Sequence, residues 1–186
     1  MPVENEDKLV LRPGTDVEAL PRLFPFLTLY KDEHITQGYL GNGIRIRRSN
    51  YPDGKTVRKL TFKTMTSIGL LEFEQAISAE DYNVLLAEKV SHGSLRKRRT
   101  SFSCIRTGLV LEVDRFETGD RERPSFLMAE VEHNSDHAYE NLRDAIAPIV
   151  AHEVARSDRT FENARLATPD GMRAALARLD ELGLPR

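Results

Sequence analysis

A short stretch near the N-terminus carries the first side chains with the spacing of a chemical site. Glu4, Glu6 and Lys8 occupy every second position there. Successive side chains of an extended strand point to opposite faces, so these three would share one face. Two carboxylates beside an ammonium group suit a divalent cation held next to an anion. A solvent-exposed edge strand could carry the same charges, so this stretch indicates a site only if the same pattern recurs along the chain.

The pattern does recur, as like-charged pairs two residues apart in later segments. A face that is merely solvated tends to mix signs, because like charges repel. Here each pair has one sign, and the residues between are mostly apolar, which favours burial of the opposite face under helices. The basic members are Arg45 with Arg47, Lys97 with Arg99, and Lys63 beside Thr61; the acidic pairs are Glu72 with Glu74, Glu112 with Asp114, and Glu130 with Glu132.

The segments that would position these charges are typical of strands. Gly41-Asn42-Gly43 predicts a hairpin turn, and Ser78, Ser135 and the pair Thr168-Pro169 predict helix starts. The pattern indicates a single α+β domain over residues 1–186, with an antiparallel sheet in about 1–134 and a helical part in about 135–186. We predict strands at 3–9, 35–40, 44–47, 57–63, 69–77, 95–106, 109–116 and 126–133.

The charges also constrain how such a sheet is used. The simplest alternative is a sheet with one face in water and the other on the core. A closed barrel would instead remove its unpaired edges, and with its apolar side outward under helices it would hold the charges inside. Unpaired ions in a dry lumen cost several kcal/mol each, so we expect a wet lumen filled by a metal and a polyanion.

The residue types indicate which ligands would fill that lumen. Arginine and lysine rows match phosphate oxygens, and clustered carboxylates match a hard cation such as Mg²⁺ or Mn²⁺. The chain has no Gly-Lys-Ser/Thr phosphate loop, which argues against a conventional nucleotide cradle. The residues alone therefore predict a metal-dependent site for a multiply charged phosphate.

Composition argues against other partners. A net charge of −2 gives no basic field for nucleic acid or an anionic membrane, and strand parity splits the basic run 96–99 between two faces. No run approaches 18 apolar residues and no secretory leader pattern begins the chain, so we expect a cytoplasmic protein. The stripe of Met172, Leu176, Leu179 and Leu182 is assigned to packing or to the contact of a homodimer.

Taken together, the motifs resemble a known family, the CYTH domain of bacterial class IV adenylyl cyclase and thiamine triphosphatase, also called triphosphate tunnel metalloenzymes. The resemblance covers roughly residues 3–167, and the stretch from Glu153 to Ala167 is similar to the inorganic triphosphatase branch. Leu70 stands where family members often carry an arginine. The motifs are Glu4-x-Glu6-x-Lys8, Gln37-Gly38-Tyr39-Leu40, Arg45-x-Arg47, Leu60-Thr61-Phe62-Lys63, Leu71-Glu72-Phe73-Glu74, Lys97-x-Arg99, Glu112-Val113-Asp114-x-Phe116 and Ala129-Glu130-Val131-Glu132.

The resemblance implies a closed eight-stranded tunnel with a charged interior and a role for each matched residue. Lys8 and Tyr39 would act on the attacking water, and Glu72, Glu74 and Glu112 would support the site. The implied metal ligands, for Mg²⁺ or Mn²⁺, are Glu4, Glu6, Asp114, Glu130 and Glu132. The implied phosphate-binding residues are Lys8, Arg45, Arg47, Lys63, Lys97 and Arg99.

The resemblance also implies an activity, which is metal-dependent hydrolysis of inorganic triphosphate or a related triphosphate. Adenylyl cyclase and thiamine triphosphatase activities stay open on the same fold, because they need only a different pocket at the tunnel mouth. A non-catalytic polyphosphate or nucleotide sensor is the alternative from another class of protein.

Overall fold

A computed structural model describes residues 5–66, 69–89, 93–117 and 126–184. Within these ranges, none of the helices combines the length and apolar character needed to cross a membrane. The strands are β1 (Asn5–Leu11), β2 (Leu27–Gly41), β3 (Ile44–Asn50), β4 (Thr56–Thr66), β5 (Gly69–Ala76), β6 (Ser94–Cys104), β7 (Val110–Glu117), β8 (Leu127–His133) and β9 (Val150–Val154). The helices are α1 (Leu20–Leu23), α2 (Ala79–Lys89), α3 (Asp136–Ile146), α4 (Asn163–Leu166) and α5 (Pro169–Glu181), with short 3-10 turns at Val17–Ala19 and Ala147–Ile149.

The nine strands form one antiparallel sheet in the order β5-β4-β3-β2-β6-β7-β8-β1-β9. Strands that follow one another in the chain pair from β2 to β5 and from β6 to β8. The first strand, β1, lies between β8 and β9, so both of its edges are hydrogen bonded. The α+β class and the antiparallel sheet are thereby confirmed.

The predicted helix starts carry the expected caps. The Ser78 hydroxyl accepts a hydrogen bond from the backbone of Asp81 at 3.0 Å, and that of Ser135 accepts one from Ala138 at 3.4 Å. The Thr168 hydroxyl accepts one from Gly171 at 3.0 Å, directly before α5 begins at Pro169. Each cap satisfies a first-turn N–H group that has no partner inside the helix.

The C-terminal part departs from its prediction at one point. We expected helices throughout 135–186, but Val150–Val154 is the strand β9, which pairs with β1. The prediction is wrong here because pairing with a distant strand decides the conformation of a five-residue segment. The pairing covers the edge of β1 that β8 leaves open, and unpaired edges are a liability. It also brings Glu153 and the loop after it next to the first strand.

The contacts divide the chain into two compact units, and β2 and β6 contribute residues to both. Unit 1 comprises Met1–Asp32, Arg98–Arg159 and Leu179–Arg186. Its core lies on the apolar parity of β1, β7 and β8, where Leu9, Leu111 and Val131 are fully buried. Helix α3 covers this face with Tyr139, Leu142 and Ile146, which follow helical spacing.

Unit 2 comprises Glu33–Lys97 and Thr160–Arg178. Helix α2 approaches the sheet at Gly38, where a Cβ would lie 3.3 Å from Leu86 and 3.4 Å from Ile46. Tyr82 of α2 and Ile46 of β3 are fully buried in this unit. The opposite parity of β3, β4 and β5 carries the charged residues described below.

The turn between β2 and β3 requires glycine at position 43. Gly43 has a φ of +75°, and a Cβ there would lie 1.9 Å from the carbonyl oxygen of Lys63. Gly54 has a similar φ of +85°, but open space surrounds it. We predict that Gly54→Ala costs about 1–2 kcal/mol of unfolding free energy, the price of a left-handed alanine. Gly43→Ala should cost at least about 1 kcal/mol more, because β4 has to move. Urea unfolding of both variants measures the difference; equal losses would show that the contact with Lys63 is not tight.

Candidate functional site

Within unit 1, strand register brings the predicted acidic residues and Lys8 together. In β1 and β8, Lys8 lies directly opposite Glu130, and Glu6 lies directly opposite Glu132. In β7 and β8, Glu112 lies directly opposite Glu130. Directly opposite residues of antiparallel strands share a face. These side chains therefore lie on one face of the sheet, as their alternation predicts.

Arg99 is the centre of this group. Its Nε donates to Asp114 Oδ1 at 2.7 Å, and its Nη2 donates to Asp114 Oδ2 at 2.6 Å. Its Nη1 and Nη2 also donate to Glu112 and Glu130. The side chain of Asp114 is fully buried and that of Arg99 is 8% exposed. Burial alone would lower the pKa of Arg99, but the charges of Asp114 and Glu130 outweigh it and raise that pKa well above its usual value.

Lys8 extends this network toward β1. Its ammonium forms an ion pair with Glu6 and lies 3.5 Å from a carboxylate oxygen of Glu130. Glu130 is thus shared by Lys8 and Arg99. We call the following residues the acidic cluster: Glu6, Lys8, Arg99, Glu112, Asp114, Glu130 and Glu132.

The acidic cluster, so defined, contains five carboxylates and two cationic side chains. Carboxylate oxygens are the ligands that Mg²⁺ and Mn²⁺ prefer, so the donor set fits a divalent cation by its chemistry. In residues 5–66, 69–89, 93–117 and 126–184, no three acidic, histidine or cysteine side chains already surround one metal position. Glu4, an implied ligand, lies outside the described residues.

A cavity of about 410 Å³ adjoins the cluster within unit 1. Glu112 and Glu132 lie in both the cluster and the cavity wall. The cavity gives the two carboxylates access to a ligand much larger than a water molecule. Its other walls are Tyr30, Gly108, Leu109, Val110, His133 and Asn134.

Within unit 2, the predicted basic residues also share one face. Arg45 of β3 lies opposite Thr61 of β4, which lies opposite Glu74 of β5. The Arg45 guanidinium is 3.7 Å from Glu74 and donates to the Thr61 hydroxyl at 3.4 Å. Burial alone would raise the pKa of Glu74, but hydrogen bonds from Lys59 and Thr61 lower it overall.

The next row of this face contains Lys63 and Glu72, which are opposite each other and joined at 2.6 Å. Glu72 is also 3.6 Å from Arg45, so this carboxylate contacts two of the predicted phosphate-binding residues. Arg47 lies opposite Lys59 on the same parity. We call Arg45, Arg47, Lys59 and Lys63, with Glu72 and Glu74, the basic rows.

Two further predicted residues of unit 2 have polar partners. The Tyr39 hydroxyl accepts a hydrogen bond from the Gln37 amide at 2.8 Å. Lys97 is buried, and its ammonium donates to the Asn163 side chain at 3.1 Å. Asn163 belongs to the stretch after the sheet that the CYTH resemblance singled out, and its role toward Lys97 is visible only in the structure.

A polar network that was not predicted from the sequence lies on the opposite face of β1. Asp7, the residue between Glu6 and Lys8 in the chain, is buried. Arg156 donates to its two carboxylate oxygens at 2.9 and 2.7 Å. His133 Nε2 lies 2.6 Å from Asp7 Oδ2. The signal was present, because Asp7 and His133 continue the apolar parity of Leu9 and Val131. A polar residue on a core-facing parity needs a buried partner.

This network ties β1 to β8 and β9. The His133 ring stacks on Tyr139 with centroids 4.9 Å apart, and the Tyr139 hydroxyl donates to Glu153 at 2.9 Å. Burial and that hydrogen bond raise the pKa of Tyr139, so it stays a neutral donor. The network therefore holds in place the strand that carries Glu6 and Lys8.

Comparison with known proteins identifies the fold. No family model matches the chain, and no curated protein sequence matches it. The crystal structure of the inorganic triphosphatase NE1496 is 23% identical with a TM-score of 0.54, over 90% of this chain and 95% of that one. The PH1819 protein of Pyrococcus horikoshii is 17% identical with a TM-score of 0.54, over 83% of this chain and 94% of that one.

A protein of Bacillus halodurans, provisionally named an adenylate cyclase, is 16% identical with a TM-score of 0.52, over 84% of this chain and 95% of that one. At these identities the similarity shows a shared α+β fold. A shared fold does not determine a reaction, so the function has to be argued from the site.

Two adjacent arginines of β6 test the importance of the buried charges. We predict that Arg99→Gln lowers the unfolding free energy by about 3–5 kcal/mol, because it leaves buried carboxylates without their counter-charge. Arg98→Gln removes a half-buried pair with Asp32 and Glu18 and should cost about 1 kcal/mol or less. Chemical unfolding at neutral pH measures both, and similar losses would contradict the central role of Arg99.

The bond between Arg156 and Asp7 predicts a pH dependence of stability. The hydrogen bonds from Arg156 lower the pKa of Asp7 below its usual value, against the opposing effect of burial. The stabilisation is therefore complete above the unfolded pKa, about 3.9, and is lost as pH falls through the folded pKa. Arg156→Ala should cost about 1–2 kcal/mol at pH 7, a value reduced because Arg156 is half exposed.

The difference in stability between the wild type and Arg156→Ala should shrink below pH 4. Thermal unfolding between pH 2.5 and 7 measures it. In an Asp7→Asn background the same Arg156→Ala change should lose most of its pH dependence near pH 4, because the other carboxylate near Arg156, that of Asp136 at 3.5 Å, is exposed and contributes little. If the full dependence survived in that background, a carboxylate other than Asp7 would be responsible.

Proposed function

We propose that the protein is a CYTH-type triphosphatase, which hydrolyses inorganic triphosphate or a related triphosphate with a divalent cation. The observation that carries the proposal is the register of β1 against β8, which places Lys8 opposite Glu130 and Glu6 opposite Glu132. On a face that is only solvated, a carboxylate directly opposite another carboxylate would destabilise the strand pair, because like charges repel. A cation bound between them removes that repulsion. The proposal includes the closed eight-stranded tunnel that the CYTH resemblance implies.

The proposed metal site uses the acidic cluster. Glu6, Glu130 and Glu132, together with Glu4 and Asp114, would hold Mg²⁺ or Mn²⁺. When bound, the cation would neutralise charge on phosphate oxygens, as divalent cations do in phosphoryl transfer. Within the chain, Arg99 has its own task, which is to offset the charge of Asp114 and Glu130 and to hold both carboxylates in position.

The proposed phosphate site uses cationic side chains whose partners orient them. Arg45 is aligned by Thr61, Glu72 and Glu74, and Lys63 is aligned by Glu72. Such supported cations lose little conformational freedom when a phosphate binds. With them, Lys8, Arg47 and Lys97 complete the set proposed to bind the substrate directly. Arg99, implied by the resemblance to bind phosphate, acts through Glu112, Asp114 and Glu130, to which its nitrogens donate.

Hydrolysis of a phosphoric anhydride depends mainly on positioning and on stabilising charge in the transition state. We assign the orientation of the attacking water to Lys8 and Tyr39. Lys8 is suited to this role because Glu6 and Glu130 hold its ammonium at the edge of the acidic cluster. Tyr39 offers a hydroxyl whose orientation Gln37 constrains.

The cavity beside Glu112 and Glu132 bears on the choice of substrate. Its volume of about 410 Å³ and its mixed wall of Tyr30, Leu109 and Asn134 give room for an organic group. ATP and thiamine triphosphate therefore belong in the substrate test beside inorganic triphosphate. The test also has to include cyclic AMP as a product, because the cyclase reaction is an alternative on the same fold.

We predict that Lys8→Ala and Arg45→Ala each lower kcat for the best substrate by about 100-fold or more, because each removes a preorganised cation. Phosphate release from the three triphosphates, with Mg²⁺ or Mn²⁺ and with a chelator, measures the activity. Arg22→Ala, an exposed arginine in α1, is the matched control and should leave kcat unchanged.

Metal binding provides a readout that does not depend on turnover. Glu6→Gln and Glu132→Gln should each weaken Mn²⁺ binding, measured by electron paramagnetic resonance of the free ion, by about tenfold or more. Tight metal-dependent binding of triphosphate without hydrolysis would overturn the enzyme assignment in favour of a sensor. Unchanged turnover in both Lys8→Ala and Arg45→Ala would overturn the site itself.

A further inference from the structure

A second group of arginines lies on the face of unit 2 opposite to the basic rows. Arg48 of β3 lies directly opposite Arg58 of β4. Arg48 follows Arg47 and Arg58 precedes Lys59 in the chain, so in each case the two neighbouring side chains point to opposite faces of the sheet. The positive charges of these two arginines and of Arg96 in β6 all act on the buried Tyr82. We call Arg48, Arg58 and Arg96 the outer arginines.

The placement of the outer arginines is unfavourable without a counter-charge. Like charges directly opposite on paired strands are destabilising. In the described part of the chain, no ion pair joins any of the three guanidinium groups to a carboxylate, and the buried Nε of Arg48 has no hydrogen-bond acceptor. An N–H donor that has lost water without gaining a partner costs free energy. A bound acceptor would supply what is missing.

The surroundings also hold this group in a fixed arrangement. The Arg48 guanidinium lies over the Tyr82 ring, 5.7 Å from its centroid. The Tyr82 hydroxyl donates to the Thr36 carbonyl at 3.3 Å, which anchors the ring against β2. Because the ring and β3 are both part of the packed unit, Arg48 is preorganised rather than free to extend into water.

We propose that the outer arginines form a binding site for a small inorganic phosphate anion. Guanidinium groups bind the oxygens of a tetrahedral dianion in bidentate fashion. Three guanidinium groups carry more positive charge than a single monovalent anion can neutralise, which favours a dianion. The site is separate from the proposed triphosphate site, because its side chains leave the opposite face of the same strands. Phosphate binding at the outer arginines can therefore be tested independently of the triphosphatase activity.

Arginine side-chain NMR tests the proposal directly. Orthophosphate and pyrophosphate are titrated into ¹⁵N-labelled protein at constant ionic strength, and the Nε–Hε resonances of Arg48 and Arg58 are assigned from the Arg48→Gln and Arg58→Gln variants. We expect saturable shifts of the Arg48 resonance. Arg58→Gln should weaken phosphate affinity at this site by about tenfold or more, the usual effect of losing a hydrogen bond between charged groups.

Controls separate this site from the basic rows and from simple screening. Arg45→Ala should leave the Arg48 titration unchanged, and so should Arg22→Gln, which removes one exposed positive charge from unit 1. Arg58→Glu should abolish the phosphate response and raise the thermal midpoint in phosphate-free buffer, since it replaces a repulsive pair with an attractive one. A shift that follows chloride as well as phosphate, or that is unaltered in Arg58→Gln, would overturn the proposal.

Discussion

A guanidinium buried among carboxylates is the interaction on which the candidate site depends. Arg99 donates to Asp114, Glu112 and Glu130 from the centre of a sheet, where an unpaired charge would cost several kcal/mol. The strands β6, β7 and β8 have to stay in register for these bonds to form. Through Glu130 the same network reaches Lys8 on β1. Fold and site are therefore not separable in this part of the molecule, because the contacts that orient the acidic cluster also hold its strands together.

The chain makes repeated use of the two faces of one strand. On β1, Glu6 and Lys8 lie in the acidic cluster, while Asp7 between them binds Arg156 and His133 on the other face. On β3, Arg45 and Arg47 lie in the basic rows, while Arg48 faces Tyr82. A one-residue slip of either strand would exchange these faces. The buried bonds on one face thus protect the register of the charged residues on the other.

The comparison with solved structures supports the fold over most of the chain, with TM-scores between 0.52 and 0.54 for the three proteins named above. One of them is an inorganic triphosphatase, and another is provisionally an adenylate cyclase. One fold can thus be associated with different reactions on phosphate esters and anhydrides. What distinguishes such reactions is the wall of the site beyond the phosphates. For the site proposed in this chain, the cavity next to Glu112 and Glu132 offers such a wall.

Strand parity, turn residues and helix caps could be predicted from the sequence because each depends on a few neighbouring residues. The alternation around Glu6 and Lys8, the hairpin at Gly41-Asn42-Gly43 and the cap at Ser135 are of this kind. The strand β9 could not be predicted, because its five residues become a strand only by pairing with β1. The partners of Arg99, the burial of Asp7 against Arg156 and the juxtaposition of Arg48 with Arg58 were likewise decided by tertiary structure. Those contacts join residues far apart in the chain, and their energies depend on distance and burial, which a linear pattern does not contain.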